Sequence, residues 1–472
     1  MPSPILSVPS AAAELAGELA AIPRRAGVAA DFPPDVIAEA ERVATTTPLP
    51  DADLTDVEFA TMDPAGSMDL DQAFFLARDG GGYRFLYAIA DIADFVAPGG
   101  PLDLESHQRG ETIYAAGHRI PLYPTVLSEG AASLLEGQLR GAFVWQFALD
   151  HAGNVTSRTV ARARVRSRRR LDYVGVAKQL ADGTADEMLR LVPEVGRLRL
   201  ALEKQRGGAS LQAPETVVER VRGRYALQRR AVQPLESWNA ELSLLTGMEA
   251  AQIMIQGKVG ILRTMPEADP QAFDTFRRQT EALGRPWPKD EPYGEYLDDV
   301  DGSEPGDLAI LHAATRLFRG AGYTAFDGEV PADTVQAAIG APYAHATAPL
   351  RRLVDRYVLQ VCEALVAGRE PSDAVRAALP QLPAEMAHGG NLSGQVANRS
   401  LDAVEAAVLA HRVGDTFDAT VVAQTKDGCT VQLTDPAVTA ACAGHPETGS
   451  AVRVRLVRAD VPTASVEFEL AA

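Results

Sequence analysis

Residues 61–73 read T-M-D-P-A-G-S-M-D-L-D-Q-A and place Asp63, Asp69 and Asp71 in one short loop between two apolar runs. Asp69 and Asp71 alternate with Met68 and Leu70, so an extended backbone points both carboxylates to one face. The Pro64-Ala65-Gly66 turn can fold Asp63 back toward that face. No Lys or Arg lies within the stretch. Three converging carboxylates repel one another unless a cation sits among them. Hard oxygen donors of this kind suit Mg²⁺ or Mn²⁺. A solvated acidic turn is the alternative, and a motif this short leaves both readings open.

The chain that must position this loop has 472 residues, enough for about two to four domains. Its 46% hydrophobic and 23% charged content is that of an ordinary globular protein. No apolar run reaches the roughly 18 residues that span a bilayer, and the N-terminus lacks the basic region of a signal peptide. Cys362, Cys429 and Cys442 are odd in number and lack C-x-x-C spacing, which speaks against a disulfide framework or a structural zinc site. A reducing cytoplasm is expected, with no membrane association.

A net charge of −18 argues against nucleic-acid binding by the whole surface. The arginines are concentrated, however. Residues 158–170 read R-T-V-A-R-A-R-V-R-S-R-R-R, without an acid, and Arg162, Arg164, Arg166 and Arg168 alternate. Smaller clusters stand at Arg220, Arg222 and Arg224, at Arg229 and Arg230, and at Arg351, Arg352 and Arg356. Such lanes suggest an internal polyanion path; solvated charges balanced by acids are the alternative.

The periodicities predict a mixed α+β fold. Ser10 is placed to cap a helix ending before Pro23, and Pro33-Pro34 opens a second; the pair reads as a helix-turn-helix-like cap or a helical extension. From Val57 the pattern turns to strands around a Gly80–Gly82 turn, then a helix over Leu102–Ala115 and a hairpin turning at Gly153-Asn154. Helices follow at Tyr173–Leu180, Asp186–Gln205, Leu235–Gln256 and Pro270–Leu283, with another after Pro342. Residues 372–411 read as an Ala-rich helical bridge broken at Pro380, Pro383 and Gly389-Gly390. Short β-runs with glycine turns from Val413 predict a small OB-type barrel.

These residues resemble the ribonuclease II and ribonuclease R family, whose catalytic core is the RNB domain. The resemblance rests on T-M-D-P-A-G-S-M-D-L-D-Q-A, Y-A-I-A-D-I-A-D-F-V-A-P-G-G-P-L-D-L-E-S-H-Q-R-G-E-T-I-Y, I-P-L-Y-P-T-V-L-S, S-L-L-E-G-Q-L-R-G-A-F, N-A-E-L-S-L-L-T and H-A-T-A-P-L-R-R-L-V-D-R, in that order. It implies a processive 3′→5′ exoribonuclease that releases nucleoside 5′-monophosphates from the 3′ end of single-stranded RNA with Mg²⁺ or Mn²⁺. No protein partner is implied. The expected organisation is a helical module over 1–48 in place of the family's cold-shock folds, an RNB domain over 49–411, and an S1-type OB fold over 412–472.

By the same resemblance, Asp63, Asp69 and Asp71 match three of four active-site aspartates and hold the metal. The fourth position is Gln72, whose neutral oxygen brings one charge less to the site. Arg351 matches the arginine that supports the transferring phosphate, with a pairing to Asp355 as the alternative. Tyr173 matches an aromatic that stacks on the terminal base, and Glu241 a carboxylate beside the terminal nucleotide. Val218 stands where a second stacking aromatic is expected. Phe417 is the stacking candidate of the barrel, where Cys429 replaces the usual aromatic. His345 reads as a phosphate or packing contact. Gln72 also favours the rival reading, a catalytically weakened RNA-binding relative.

Overall fold

The computed structural model describes residues 9–116, 118–209, 211, 215–221, 224–230, 233–300 and 305–471. Arg222 and the side chains of Val218, Arg220, Arg224 and Arg229 lie outside the described residues. Two helices come first, α1 (Pro9–Arg25) and α2 (Pro34–Thr46). Ser10 therefore lies inside α1 and does not precede it. The helix also runs past Pro23, because a proline in the last turn removes only one backbone hydrogen bond. Gly27, at φ 78°, then turns the chain.

The elements around the acidic loop are β1 (Ala60–Met62), β2 (Gln72–Asp79), β3 (Gly82–Ala90), α3 (Pro101–Arg109), β4 (Ile113–Ala115), β5 (His118–Ile120), β6 (Leu139–Leu149), β7 (Val155–Arg166) and β8 (Arg169–Leu171). A six-stranded sheet runs β7-β6-β3-β2-β1-β8, antiparallel except for the β1–β8 pair. Tyr87 and Phe85 of β3 face Trp145 and Phe147 of β6 in register, and all four are buried. Such cross-strand aromatic pairs add roughly 0.2–1 kcal/mol each and stiffen the floor beneath the loop. The expected helix over Leu102–Ala115 stops at Arg109. Gly110, at φ 71°, ends it, and the β-branched Thr112-Ile113 run continues as a strand.

The middle of the chain supplies α4 (Tyr173–Ala181), α5 (Glu187–Gln205), β9 (Glu215–Val221), β10 (Arg224–Arg230), α6 (Pro234–Gly257), β11 (Val259–Thr264), α7 (Pro270–Ala282), α8 (Tyr293–Asp298), α9 (Pro305–Ala314), β12 (Gly322–Asp327), β13 (Val335–Gln336), β14 (Ala341–Pro342) and α10 (Leu353–Val366). Helices α6 and α10 are buried on most sides and pack against the sheet. Then come α11 (Asp373–Ala378) and α12 (Leu382–Leu409), the latter unbroken through Gly389-Gly390. Gly389 marks a close approach instead of a break, since a Cβ there would meet Arg109 O at 2.8 Å.

A closed barrel ends the chain: β15 (Thr416–Thr425), β16 (Gly428–Leu433), β17 (Thr439–Ala443), β18 (Ala451–Asp460) and β19 (Ser465–Leu470), in the order β15-β16-β17-β19-β18. Its core joins that of α12, and Leu15, Leu19 and Ile22 of α1 complete it. Val36, Ala40 and Val43 of α2 belong to the main core instead. The N-terminal helices thus dock on two different bodies and do not form a helix-turn-helix unit. The three cysteines are unpaired and buried. Among the described residues, no helix is long and apolar enough to cross a membrane.

Candidate active site

The acidic loop is fixed from both sides. Asp63 N donates to Leu171 O on β8, and Ala90 N donates to Asp71 O. Between them Ser133 acts as a staple: its hydroxyl accepts from Leu70 N at 2.9 Å and donates to Met68 O at 2.7 Å. Leu70 is wholly buried. Gly66 at φ 95° closes the turn after Asp63.

Asp71 is nearly inaccessible and accepts a hydrogen bond from Leu350 N at 2.7 Å. Burial pushes its pKa up to about 8, against the pull of Arg351 and the Leu350 N–H. Asp63 is raised to about 6, first by burial and then by Asp69. Asp69 pairs with Arg119 at 2.5 Å, and the Tyr114 hydroxyl stands 3.3 Å from its other oxygen. Arg119 also holds Glu129 at 2.5 Å. Gln72 accepts a hydrogen bond from the hydroxyl of buried Tyr87.

Arg351 lies 3.6 Å from Asp71 and is about two-fifths exposed, at 42%. Asp355 does not claim it. That carboxylate is held bidentately by Arg352, at 2.5 and 2.8 Å, and by Ala348 N. The guanidinium of Arg351 is left facing the acidic loop. Arg170 also acts on Asp63 through its charge, so each carboxylate has an arginine counterpart.

Among the described residues, no group of three or more His, Cys, Asp or Glu side chains is gathered to hold a metal ion. The donor chemistry of the loop fits a hard divalent cation all the same. All three donors are carboxylates, and Asp63 and Asp71 are destabilised as anions by burial, a cost that a cation would relieve. The obstacle is Arg119, which already occupies Asp69.

The other expected residues separate. Tyr173 opens α4 beside the loop, its hydroxyl accepting from Asn239 Nδ2 at 3.1 Å, and the Asp63 charge acts on it. Glu241 is buried on α6 among Glu203, Arg199 and Arg206, which with burial set its pKa near 7; none of these belongs to the loop. Phe417 is a correction. It is 4% exposed, packed edge-on against Phe468 in the barrel core and covered by Arg412 at 4.2 Å. It offers no free face to a base.

The arginine lane is a second correction. Arg162 binds buried Asp91 at 2.6 Å, Arg164 binds Asp53 at 2.8 Å and Arg158 binds Glu249 at 2.6 Å. Arg168 donates to Thr55 O. Acids from distant segments thus neutralise Arg158, Arg162, Arg164 and Arg169. Sequence reasoning missed Arg119, Tyr87 and Asn239. None has a local signal, because each reaches the site from another element.

The family described as RNB domain matches residues 51–368, and the RNase II-type exonuclease C-terminal S1 domain matches residues 415–471. Ribonuclease R of Escherichia coli (strain K12) is 29% identical over 324 residues, covering 64% of this chain and 39% of that protein. The chain thus spans about two-fifths of that curated relative's length. In fold it is similar to Mycoplasma genitalium RNase R in complex with ribose methylated single-stranded RNA, with a TM-score of 0.85, 18% identity, and coverage of 97% and 78% of the two chains. It is also similar to yeast Ssd1, a pseudonuclease, with a TM-score of 0.71, 17% identity, and coverage of 93% and 55%.

Proposed function

The chain belongs to the RNB-domain family, and on that premise we propose that it is a processive 3′→5′ exoribonuclease acting on single-stranded RNA. The observation that carries the reading is that the charges of Asp69 and Arg351 act on both Asp63 and Asp71, with Arg351 3.6 Å from Asp71. Asp63, Asp69 and Asp71 would hold Mg²⁺ or Mn²⁺, which supplies Lewis-acid polarisation of the scissile phosphate and activation of water. Arg351 donates to the phosphate oxygens as charge builds on them, a task for a planar guanidinium. Tyr173 stacks on the terminal base, worth roughly 1–3 kcal/mol, and its bond from Asn239 fixes the ring. Gln72, with its oxygen taken by Tyr87, orders the loop without adding a charge. Released nucleosides carry 5′-phosphates.

The three buried thiols suit a reducing compartment, and we place the activity in the cytoplasm. The domain limits proposed are 1–48, 49–411 and 412–472, with α1 and α2 as docked helices.

The second reading, a catalytically weakened RNA-binding relative, is favoured by Gln72 and by Arg119 on Asp69. Incubating 5′-labelled single-stranded RNA with the protein and Mg²⁺ or Mn²⁺ separates the two. A ladder shrinking to a short core supports the exoribonuclease. Intact RNA with both metals, alongside measurable binding, supports the weakened relative.

A further inference from the structure

Two of the three thiols, neither used in the proposed hydrolysis, face each other in the barrel. β16 and β17 pair antiparallel with Cys429 directly opposite Cys442. Residues opposed in this way have Cα atoms about 4.5–5.5 Å apart, inside the roughly 4.4–6.8 Å that a disulfide spans. The strands also approach closely at this end. Cys429 Sγ lies 3.7 Å from Cys442 O, and a Cβ on the neighbouring Gly428 would strike the same oxygen.

Both cysteines are buried in the core that holds Val421, Val431 and Phe468, yet they sit at its rim. Cys429 is the second residue of β16, directly after the exposed Lys426-Asp427 turn, and Cys442 is the last but one of β17. Strand ends open at lower free energy than strand centres, which admits a small oxidant. Burial raises both thiols, Cys442 to about 12. The hydrogen bond between them opposes that rise at Cys429 and adds to it at Cys442. Cys442 is therefore the donor, and Cys429 is the sulfur that ionises first. Cys362 has no such neighbour; it is buried in α10, in the other core.

We propose that Cys429 and Cys442 form a redox-modification site, at which hydrogen peroxide converts the facing thiols into a disulfide between β16 and β17. The Cys429 thiolate attacks a peroxide oxygen and the O–O bond breaks. Cys429 becomes a sulfenic acid, and the departing hydroxide takes the proton of the Cys429 thiol. The Cys442 sulfur then attacks the Cys429 sulfur, the S–O bond breaks, and a second water leaves with the Cys442 proton. Two thiols are oxidised, one peroxide is reduced and two waters form. In a reducing compartment the pair rests as the dithiol. The proposal is independent of whether the chain cleaves RNA.

The test exposes the folded full chain to hydrogen peroxide, quenches with catalase, and titrates thiols in guanidinium. The count should fall from three to one, and dithiothreitol should restore it. Trypsin leaves both cysteines in one peptide, residues 427–453, which should be lighter by two hydrogen atoms, while Cys362 stays free to take a maleimide. In Cys442→Ser the sulfenic acid has no partner thiol, so dimedone should label Cys429 and no disulfide should form. Thermal unfolding checks that this variant folds; the thiol count and peptide mass of the parent chain decide the matter without it. Three thiols remaining after peroxide, a bond that joins two chains, or loss involving Cys362 in place of the pair would overturn the proposal.

Discussion

Arg119 holds Asp69 and Glu129 at once, each at 2.5 Å, and so stands where a divalent cation would otherwise take the Asp69 charge. The arrangement is a competition between two cations for one carboxylate. Arg119→Ala should therefore lower the half-saturating Mn²⁺ concentration by about tenfold, since a hydrogen bond to a charged group is worth roughly 1.5–3 kcal/mol. Electron paramagnetic resonance of free Mn²⁺ reads this directly, and unchanged metal affinity would count against the competition. Asp71 behaves differently. An Asn there still offers an oxygen to Leu350 N but no charge to a metal or to Arg351. Asp71→Asn should abolish shortening of labelled RNA and leave RNA binding intact in a filter or anisotropy assay. Parallel loss of both would remove Asp71 from its proposed role.

At the scale of elements, α12 ties the main body to the barrel, and two features of the helix make opposite predictions. Gly389 packs on the end of α3, where a Cβ would meet Arg109 O at 2.8 Å and Gly110 Cα at 3.2 Å. Gly390 has nothing within 4 Å of such an atom. Gly390→Ala should raise stability by about 0.5–1 kcal/mol through helix propensity. Gly389→Ala should lower it by about 1–3 kcal/mol through overpacking. Paired urea unfolding midpoints check the contrast. Glu405 lies near the other end of α12, 6% exposed, with Thr439 N of β17 donating to it at 3.4 Å. Burial raises its pKa to about 8. A carboxyl raised in the folded state stabilises fully below its unfolded value near 4.3, and that contribution fades as pH rises through about 8. Glu405→Gln should unfold at higher urea than the parent at pH 9, lose the advantage near pH 4, and flatten stability against pH between those limits.

At the scale of the whole molecule, an acidic chain places its arginines inside its own ion-pair framework. On β7, Arg158, Arg162 and Arg164 are spent on Glu249, Asp91 and Asp53. Arg162 is the sharpest case, because its partner Asp91 is 1% exposed and Arg162 also covers the Phe143 ring at 4.5 Å. Removing one partner of a buried pair typically costs about 3–5 kcal/mol. With Arg162 itself 30% exposed, Arg162→Ala should cost somewhat less, on the order of 2–4 kcal/mol. It should leave the RNA affinity of the folded variant unchanged. A thermal melt and an anisotropy titration on the same sample check both halves. A large affinity loss would restore the polyanion path along this strand.

The loop T-M-D-P-A-G-S-M-D-L-D-Q-A was legible because its information is local. The three carboxylates lie within nine residues, and Pro64 and Gly66 write the turn between the first and the other two. The barrel was legible for the same reason, from short β-runs punctuated by glycine. Gly389-Gly390 was not, because the same dipeptide breaks an isolated helix and permits a close helix contact in a packed one. By residue type and spacing alone, Arg351 and Arg352 are indistinguishable as partners of Asp355. Only the folded backbone gives Arg352 to Asp355 and leaves Arg351 to Asp71. Arg119 on Asp69, Tyr87 on Gln72 and the burial of Phe417 belong to the same class. The sequence by itself determined which groups carry charge and which segments are strands or helices, since these follow from residue type and spacing. Tertiary structure alone decided which opposite charges meet, because pairing depends on distances between segments far apart in the chain.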